Sequence, residues 1–235
     1  MRIAVVDMGT NTFNLLVVEV DGAGFSTIYH NKIGVMLGEG GINSGLIAPK
    51  AYQRGLQAIA EHMEASKKLG VGVVKAFATS AIRSAGNGGN FVNEVISKYG
   101  VDVEVISGER EAELIYKGVE ASVSLDDRRA LIMDIGGGSN EFIICNGSGI
   151  LWKQSFPLGM SRLLERFKPS DPMLASEVNA VESFLVEGLE PLWLACQQYC
   201  PELLIGASGA FDTYRSVICF GNDTDEPICS IGMDA

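Results

Sequence analysis

Basic residues are the first scarcity of this chain. Its 18 Lys and Arg face 29 Asp and Glu, for a net charge of −11. A general nucleic-acid binder needs a basic footprint to release counterions from the phosphate backbone, so a role on DNA or RNA is excluded. The deficit is uneven: residues 1–120 hold 11 basic and 13 acidic residues, residues 121–235 hold 7 and 16. Imidazole is scarce too. Only His30 and His62 are present, and the five cysteines contain no Cys-x-x-Cys pair. A zinc site is therefore disfavoured, and Cys145, Cys196, Cys200, Cys219 and Cys229 are expected to be reduced, mostly buried thiols. Long apolar runs are absent as well. The first ~20 residues come nearest, but Arg2, Asp7 and the polar run Thr10 to Asn14 interrupt them, so the segment is neither a signal peptide nor a membrane span. The expectation is a soluble, cytoplasmic protein with no membrane partner. With 47% apolar residues in 235, the chain can bury one large core or two small ones.

What is abundant is glycine in a particular setting. Asp7-Met8-Gly9-Thr10-Asn11-Thr12 and Asp134-Ile135-Gly136-Gly137-Gly138-Ser139 share the pattern Asp-x-Gly-x-x-Thr/Ser. Each follows one apolar run and precedes another, and the match extends at a constant offset of 127 (134 minus 7) to Val17 and Ile144. This is an internal repeat of two β-hairpins. A glycine-rich turn presents successive backbone N–H groups and forms a concave anion site. Two such turns facing each other describe a cleft able to grip a phosphate chain and its metal.

Around the repeat, the first half reads β–β–β–α–β–α–β–α. Strands are expected at 2–7, 13–20 and 25–36, with Asp21-Gly22-Ala23-Gly24 as a turn. A helix runs from Pro49 to about Leu69, burying Leu56, Ile59, Ala60 and Met63. A strand at 71–78, a helix near 90–99, a strand at 102–106 and a helix from about Glu109 to Val119 follow. The second half restarts with strands at 129–135, 140–146 and 149–156, a helix at 159–167, a long helix near 173–198, a strand at 202–206 and a final glycine turn, Gly206-Ala207-Ser208-Gly209. The polar stretch Ser122 to Arg129 divides the chain, giving lobes at 1–120 and 121–235. The pattern predicts an α/β protein with a mixed sheet and flanking helices in each lobe.

That order is similar to the actin-like (ribonuclease H-like) ATPase superfamily. Within it, five segments in sequence resemble the exopolyphosphatase / guanosine pentaphosphate phosphohydrolase family (Ppx/GppA phosphatases). They are Asp7 to Phe13, Ala78-Thr79-Ser80-Ala81-Ile82-Arg83, Ser107-Gly108-Glu109-Arg110-Glu111-Ala112, Asp134 to Glu141, and Gly206 to Gly209. The resemblance spans Met1 to about Tyr214. Two features depart from it: Ser208 and Ala210 stand where the family usually has Gly and Thr, and the second lobe reads as lacking its C-terminal helices. The resemblance implies Mg²⁺-assisted release of terminal phosphate from inorganic polyphosphate or from guanosine pentaphosphate, the stringent-response nucleotide, and frequent homodimerisation. It implies Glu111 as the base for the attacking water.

Each assignment competes with a plainer one. Glu109, Glu111 and Glu113 would complement a helix N-terminus without any catalytic role. Asp7 and Asp134 would cap hairpins as Asx-turns, but two copies in register favour metal or water ligands, with Glu141 as a further metal ligand and Asp134 also catalytic. Gly136, Gly137, Gly138 and Ser139, with Gly9, Thr10, Asn11 and Thr12, are expected to cradle phosphate; the plainer reading is a turn needing positive φ. Arg83 is expected to bind phosphate bidentately rather than make a surface ion pair. Lys153, Arg162, Arg166 and Lys168 form either an extended basic track or a solvated helix face. Gly206, Ser208 and Gly209 would hold a nucleoside if the chain were instead an ATPase or kinase. A guanosine tetra- or pentaphosphate sensor with little turnover is the remaining alternative.

Overall fold

The structure, a computed structural model, describes residues 1–22, 24–125 and 127–218. Cys219 and Cys229 lie outside the described residues. Two sheets stand in chain order, each built on an antiparallel three-stranded start. In the first, β1 (Arg2–Met8), β2 (Thr12–Asp21) and β3 (Gly24–Gly34) form a meander; β4 (Val73–Ala78) then joins β1 in parallel and β5 (Asp102–Val105) joins β4, giving the order β3-β2-β1-β4-β5. In the second, β6 (Ala130–Ile135), β7 (Asn140–Asn146) and β8 (Gly149–Phe156) repeat the meander, and β9 (Leu203–Gly206) pairs in parallel with β6. The two mixed sheets with flanking helices are the expected actin-like arrangement.

The first core lies between the sheet and two helices. The first, α1 (Pro49–Lys68), starts with proline at its first position, where the missing N–H costs nothing, and ends in Lys67 and Lys68, which suit the negative end of the helix dipole. Its buried face includes Leu56 and Ile59, as periodicity demands, together with Gly55. A side chain at Gly55 would press on the Phe91 ring at 2.9 Å, so this glycine serves close helix packing. Phe91 lies on α3 (Gly88–Tyr99), is fully buried and meets Phe13 and Tyr52 edge to face. Truncating such a ring to alanine typically costs about 3–5 kcal/mol. Gly100 closes α3 in the left-handed region at φ 64°, a conformation favouring glycine.

The second sheet is covered on both faces, which explains why β7 is buried along nearly its whole length. On one face lie Ala112, Tyr116 and Val119 of α4 (Gly108–Ser122), packed on Ala130, Ile132, Ile143 and Cys145. On the other, Leu189 and Leu192 pack with Phe142, Phe156 and Leu158. Thus α4, which precedes the polar boundary in sequence, buries its apolar face in the second core.

Two elements differ from the sequence-based expectation. The long helix expected near 173–198 is two helices, α6 (Ala175–Gly188) and α7 (Glu190–Tyr199), joined at Leu189. Pro191 lacks an N–H and belongs in a helix first turn, and Gly188 sits against Leu158, where a Cβ would approach to 3.0 Å. The second difference is a five-residue helix, α2 (Ser80–Ser84), directly after β4. It is too short for a periodic signal. The thiols also differ from expectation. Of the described cysteines only Cys145 is buried; Cys196 is half-buried and Cys200 is exposed, because it caps α7 with φ 45°. No helix among the described residues is long and apolar enough to cross a membrane.

Candidate active site

The repeated hairpins place their aspartates alike. Asp7 ends β1 opposite Asn14 on β2, and Asp134 ends β6 opposite Glu141 on β7. Directly opposed residues of an antiparallel pair project to the same face. The Asn14 amide donates to Asp7 Oδ2 at 3.0 Å. At the corresponding place Glu141 is buried and accepts from the Ser155 hydroxyl of β8 at 2.6 Å. Both tips close the same way, Gly9 N–H donating to Thr12 O at 3.1 Å and Gly136 N–H to Ser139 O at 3.0 Å.

Positive φ is not the reason for these glycines: none of Gly9, Gly136, Gly137 or Gly138 adopts it. Close approach is. A Cβ on Gly9 or Gly136 would strike the carbonyl across its own hairpin, at 2.9 and 2.6 Å. A Cβ on Gly137 would meet the Asn11 side chain at 2.7–2.8 Å, and one on Gly138 would meet Thr10 Oγ1 at 2.5 Å and Ser80 Oγ at 2.6 Å. The second turn therefore rests directly on the tip of the first. Thr10 Oγ1 is buried at this contact and has no hydrogen-bond partner among the described residues. The start of α5 (Met160–Phe167) backs the second turn: Met160 and Ser161 donate to the carbonyls of Gly136 and Gly137 at 3.0 and 2.8 Å.

Glu111 enters on α4. The hydroxyl of Ser107 caps that helix by accepting from Arg110 N–H at 3.1 Å. Gly108 lets the first turn lie against Ser155, leaving no room for a side chain. Glu111 then meets Arg83 of α2, whose Nη1 donates to its carboxylate and to Ile106 O, both at 2.9 Å; the two side chains are only 17% and 25% exposed. Glu109, its nearest rival, is exposed.

The electrostatics tie four carboxylates together. Burial raises the Asp7 carboxyl above the usual range, opposed by the Asn14 hydrogen bond. Asp134 is pushed up to about 6, chiefly by burial and then by the charge of Asp7. Burial raises Glu111, Arg83 opposes the rise, and the charges of Asp7 and Asp134 add to it. Glu141 is pushed up to about 8 by burial and by the charge of Glu111. Groups that act on one another in this way share one low-dielectric space, and perturbed acids gathered together make a candidate functional site.

This donor set suits a hard divalent cation. All four groups offer carboxylate oxygen, and Asp134 has no cationic neighbour to offset its charge. Among the described residues no three acidic, imidazole or thiol groups form a metal cage by themselves. The set thus fits an ion held by one or two carboxylates and completed by substrate phosphate, the usual manner of Mg²⁺.

Other predicted groups are used differently. The basic quartet is not one track. Lys153 pairs with Glu113, Arg166 lies over the Phe184 ring at 4.3 Å, and Arg162 is drawn into the contact between the lobes. At the last glycine turn, the Ser208 hydroxyl accepts from Ile135 N–H at 3.1 Å, the Phe211 ring covers Gly206, and Gly209 opens α8 (Gly209–Ile218) beside Lys32. Sequence reasoning missed Asn14, Ser155, Ser161 and Ser80. Only Asn14 had a signal, because it stands 127 residues before Glu141 (141 minus 14).

Comparison with known proteins places this geometry among phosphatases. The model of the Ppx/GppA phosphatase family matches residues 16–228. An exopolyphosphatase from Cytophaga hutchinsonii is 40% identical and superposes with a TM-score of 0.93, over 97% of this chain and 73% of that one. The Aquifex aeolicus PPX-GPPA enzyme is 27% identical, with a TM-score of 0.71 over 92% of this chain and 71% of that one.

Proposed function

The chain belongs to the Ppx/GppA phosphatase family, and from that premise we propose that it hydrolyses the terminal phosphoanhydride of inorganic polyphosphate, guanosine pentaphosphate, or both. The observation that carries this reading is the gathering of Asp7, Glu111, Asp134 and Glu141 beneath two abutting glycine turns, with Arg83 on Glu111. Phosphoryl transfer demands positioning and charge neutralisation more than covalent chemistry.

Glu111 takes the proton of the attacking water. Burial raises its affinity for protons, the direction a general base requires, and Arg83 opposes the rise. Arg83 orients that carboxylate and has further N–H groups for a phosphate oxygen. The turn N–H groups that do not close the hairpins, together with Arg83, bind the transferred phosphoryl group. One or two carboxylates from among Asp7, Asp134 and Glu141 would hold Mg²⁺, which when bound would neutralise phosphate charge. An ATP-dependent role is disfavoured because Glu111 belongs to a motif of the phosphohydrolase branch.

Phosphate release measured separately on polyphosphate, guanosine pentaphosphate and ATP tests the proposal. Turnover of either of the first two, with little on ATP, is expected. Tight binding of guanosine pentaphosphate without release would make the chain a sensor instead.

A further inference from the structure

Arg162 touches three segments of the chain at once. Its Nε donates to Gly138 O of the second glycine turn at 2.7 Å. Its Nη1 donates to Ile42 O in the first lobe at 3.1 Å, and its Nη2 to Ser84 Oγ, also in the first lobe, at 3.0 Å. Ser84 is the last residue of α2 and the immediate neighbour of Arg83. The contact is reinforced on both sides: Ser161 Oγ donates to Asn11 Oδ1 at 2.6 Å, and Asn43 Nδ2 donates to the Arg162 carbonyl at 3.1 Å.

Holding a guanidinium here is costly. It is half-buried, and the like charge of Arg83 acts on it; both effects weaken its hold on its proton. What a neutral side chain lacks is the rigid fork of N–H donors, which reaches three fixed acceptors together. Lysine, with one flexible ammonium, cannot do the same.

We infer that Arg162 is a positioning residue that ties the two lobes together and so fixes the spacing between Arg83 and the Gly136–Ser139 turn. It acts through those groups rather than on substrate. The inference rests on the proposed phosphohydrolase reading only for its kinetic consequence; the lock itself is a property of the unliganded protein.

The test uses the full chain, as wild type, Arg162→Ala and Arg162→Lys. Hydrogen exchange is followed without substrate in peptides covering Ser80–Ser84, Gly136–Ser139 and the start of α5. Both variants should exchange these segments at least about ten-fold faster, with β1 and β6 unchanged. In turnover assays kcat/KM should fall about ten-fold or more in Arg162→Ala, and Arg162→Lys should recover little despite its charge. Wild-type exchange in both variants would overturn the lock. So would full activity in Arg162→Lys, since charge alone would then suffice. Loss of activity without faster exchange would overturn it too, making Arg162 a direct substrate contact. If the wild type releases phosphate from none of the substrates, the proposed function fails while the exchange result still decides the lock.

Discussion

Lay the two sheets over one another and their rungs at the cleft differ in one telling way. The first lobe reads Asp7, Asn14, Lys32 across β1, β2 and β3; the second reads Asp134, Glu141, Ser155 across β6, β7 and β8. The backbones are equivalent and the charges are not. In the first lobe an amide offsets the aspartate, and a cation follows on the next strand. In the second lobe a second carboxylate takes the place of the amide, steadied by a hydroxyl. The repeat gives two equivalent hairpins, and the second places two carboxylates where the first has one. The second lobe should carry most of the demand for a cation, while the first positions and balances.

Glu111 stands between the halves, and its loss should have the largest effect. Glu111→Gln keeps the shape and removes the proton acceptor, so turnover should fall ~10²–10⁴-fold with substrate affinity within a few-fold. Steady-state kinetics with a binding assay check this; a nearly active variant would hand the role to Asp134 or Glu109.

The comparison itself is broken or sharpened by the paired aspartates. Asp134→Asn should raise the Mg²⁺ concentration for half-maximal rate by about ten-fold or more, because it removes an anionic oxygen from a hard-cation site. Asp7→Asn should raise it less, since Asn14 already draws on that carboxylate. Equal titrations would erase the proposed division between the lobes.

A pH measurement comes next. In the folded, metal-free protein burial and the charge of Glu111 push the Glu141 carboxyl up to about 8, from an ordinary value of 4.5. The fold therefore binds more protons than the unfolded chain in that interval. Its contribution to stability is fully present below the lower value and is lost as pH rises through the upper one. The thermal midpoint of the metal-free protein should show this as a component that falls from pH 6 to 8 and disappears in Glu141→Gln. Mg²⁺ binding at pH 7 should release protons, read by calorimetry in buffers of different ionisation enthalpy, and the same variant should release fewer.

The smallest effect belongs to the third position of the rung. Ser155→Ala removes one hydrogen bond to Glu141, worth about 0.5–1.5 kcal/mol. A rise of a few-fold in the Mg²⁺ requirement should follow, without loss of kcat at saturation.

Much of this was legible in the sequence. The two Asp-x-Gly turns and the opening of each lobe with three strands followed from spacing, because hairpins and glycine turns depend on local sequence, whereas Glu111 stood out from Glu109 and Glu113 only through the family resemblance. The rest depends on what the chain meets after folding. Gly137 and Gly138 read as ligand cradles, yet a Cβ there would meet Asn11, Thr10 and Ser80. The basic quartet read as one surface feature and is divided among an ion pair at Lys153, an aromatic face at Arg166, the interlobe contact at Arg162 and the exposed end of α5 at Lys168. The break at Leu189 could have been read from Gly188 and Pro191, whereas the five-residue α2 is shorter than any periodic signal.

The abutment of the two turns has one further consequence. Where side chains meet side chains, an interface can settle, trading one rotamer for another. Here the second lobe offers bare backbone at Gly137 and Gly138, with nothing on it to yield. All the compliance therefore sits on the first lobe: Gly137→Ala should be met by a swing of the Asn11 amide, away from the Ser161 hydroxyl that donates to it, while the backbone of the second turn keeps its place.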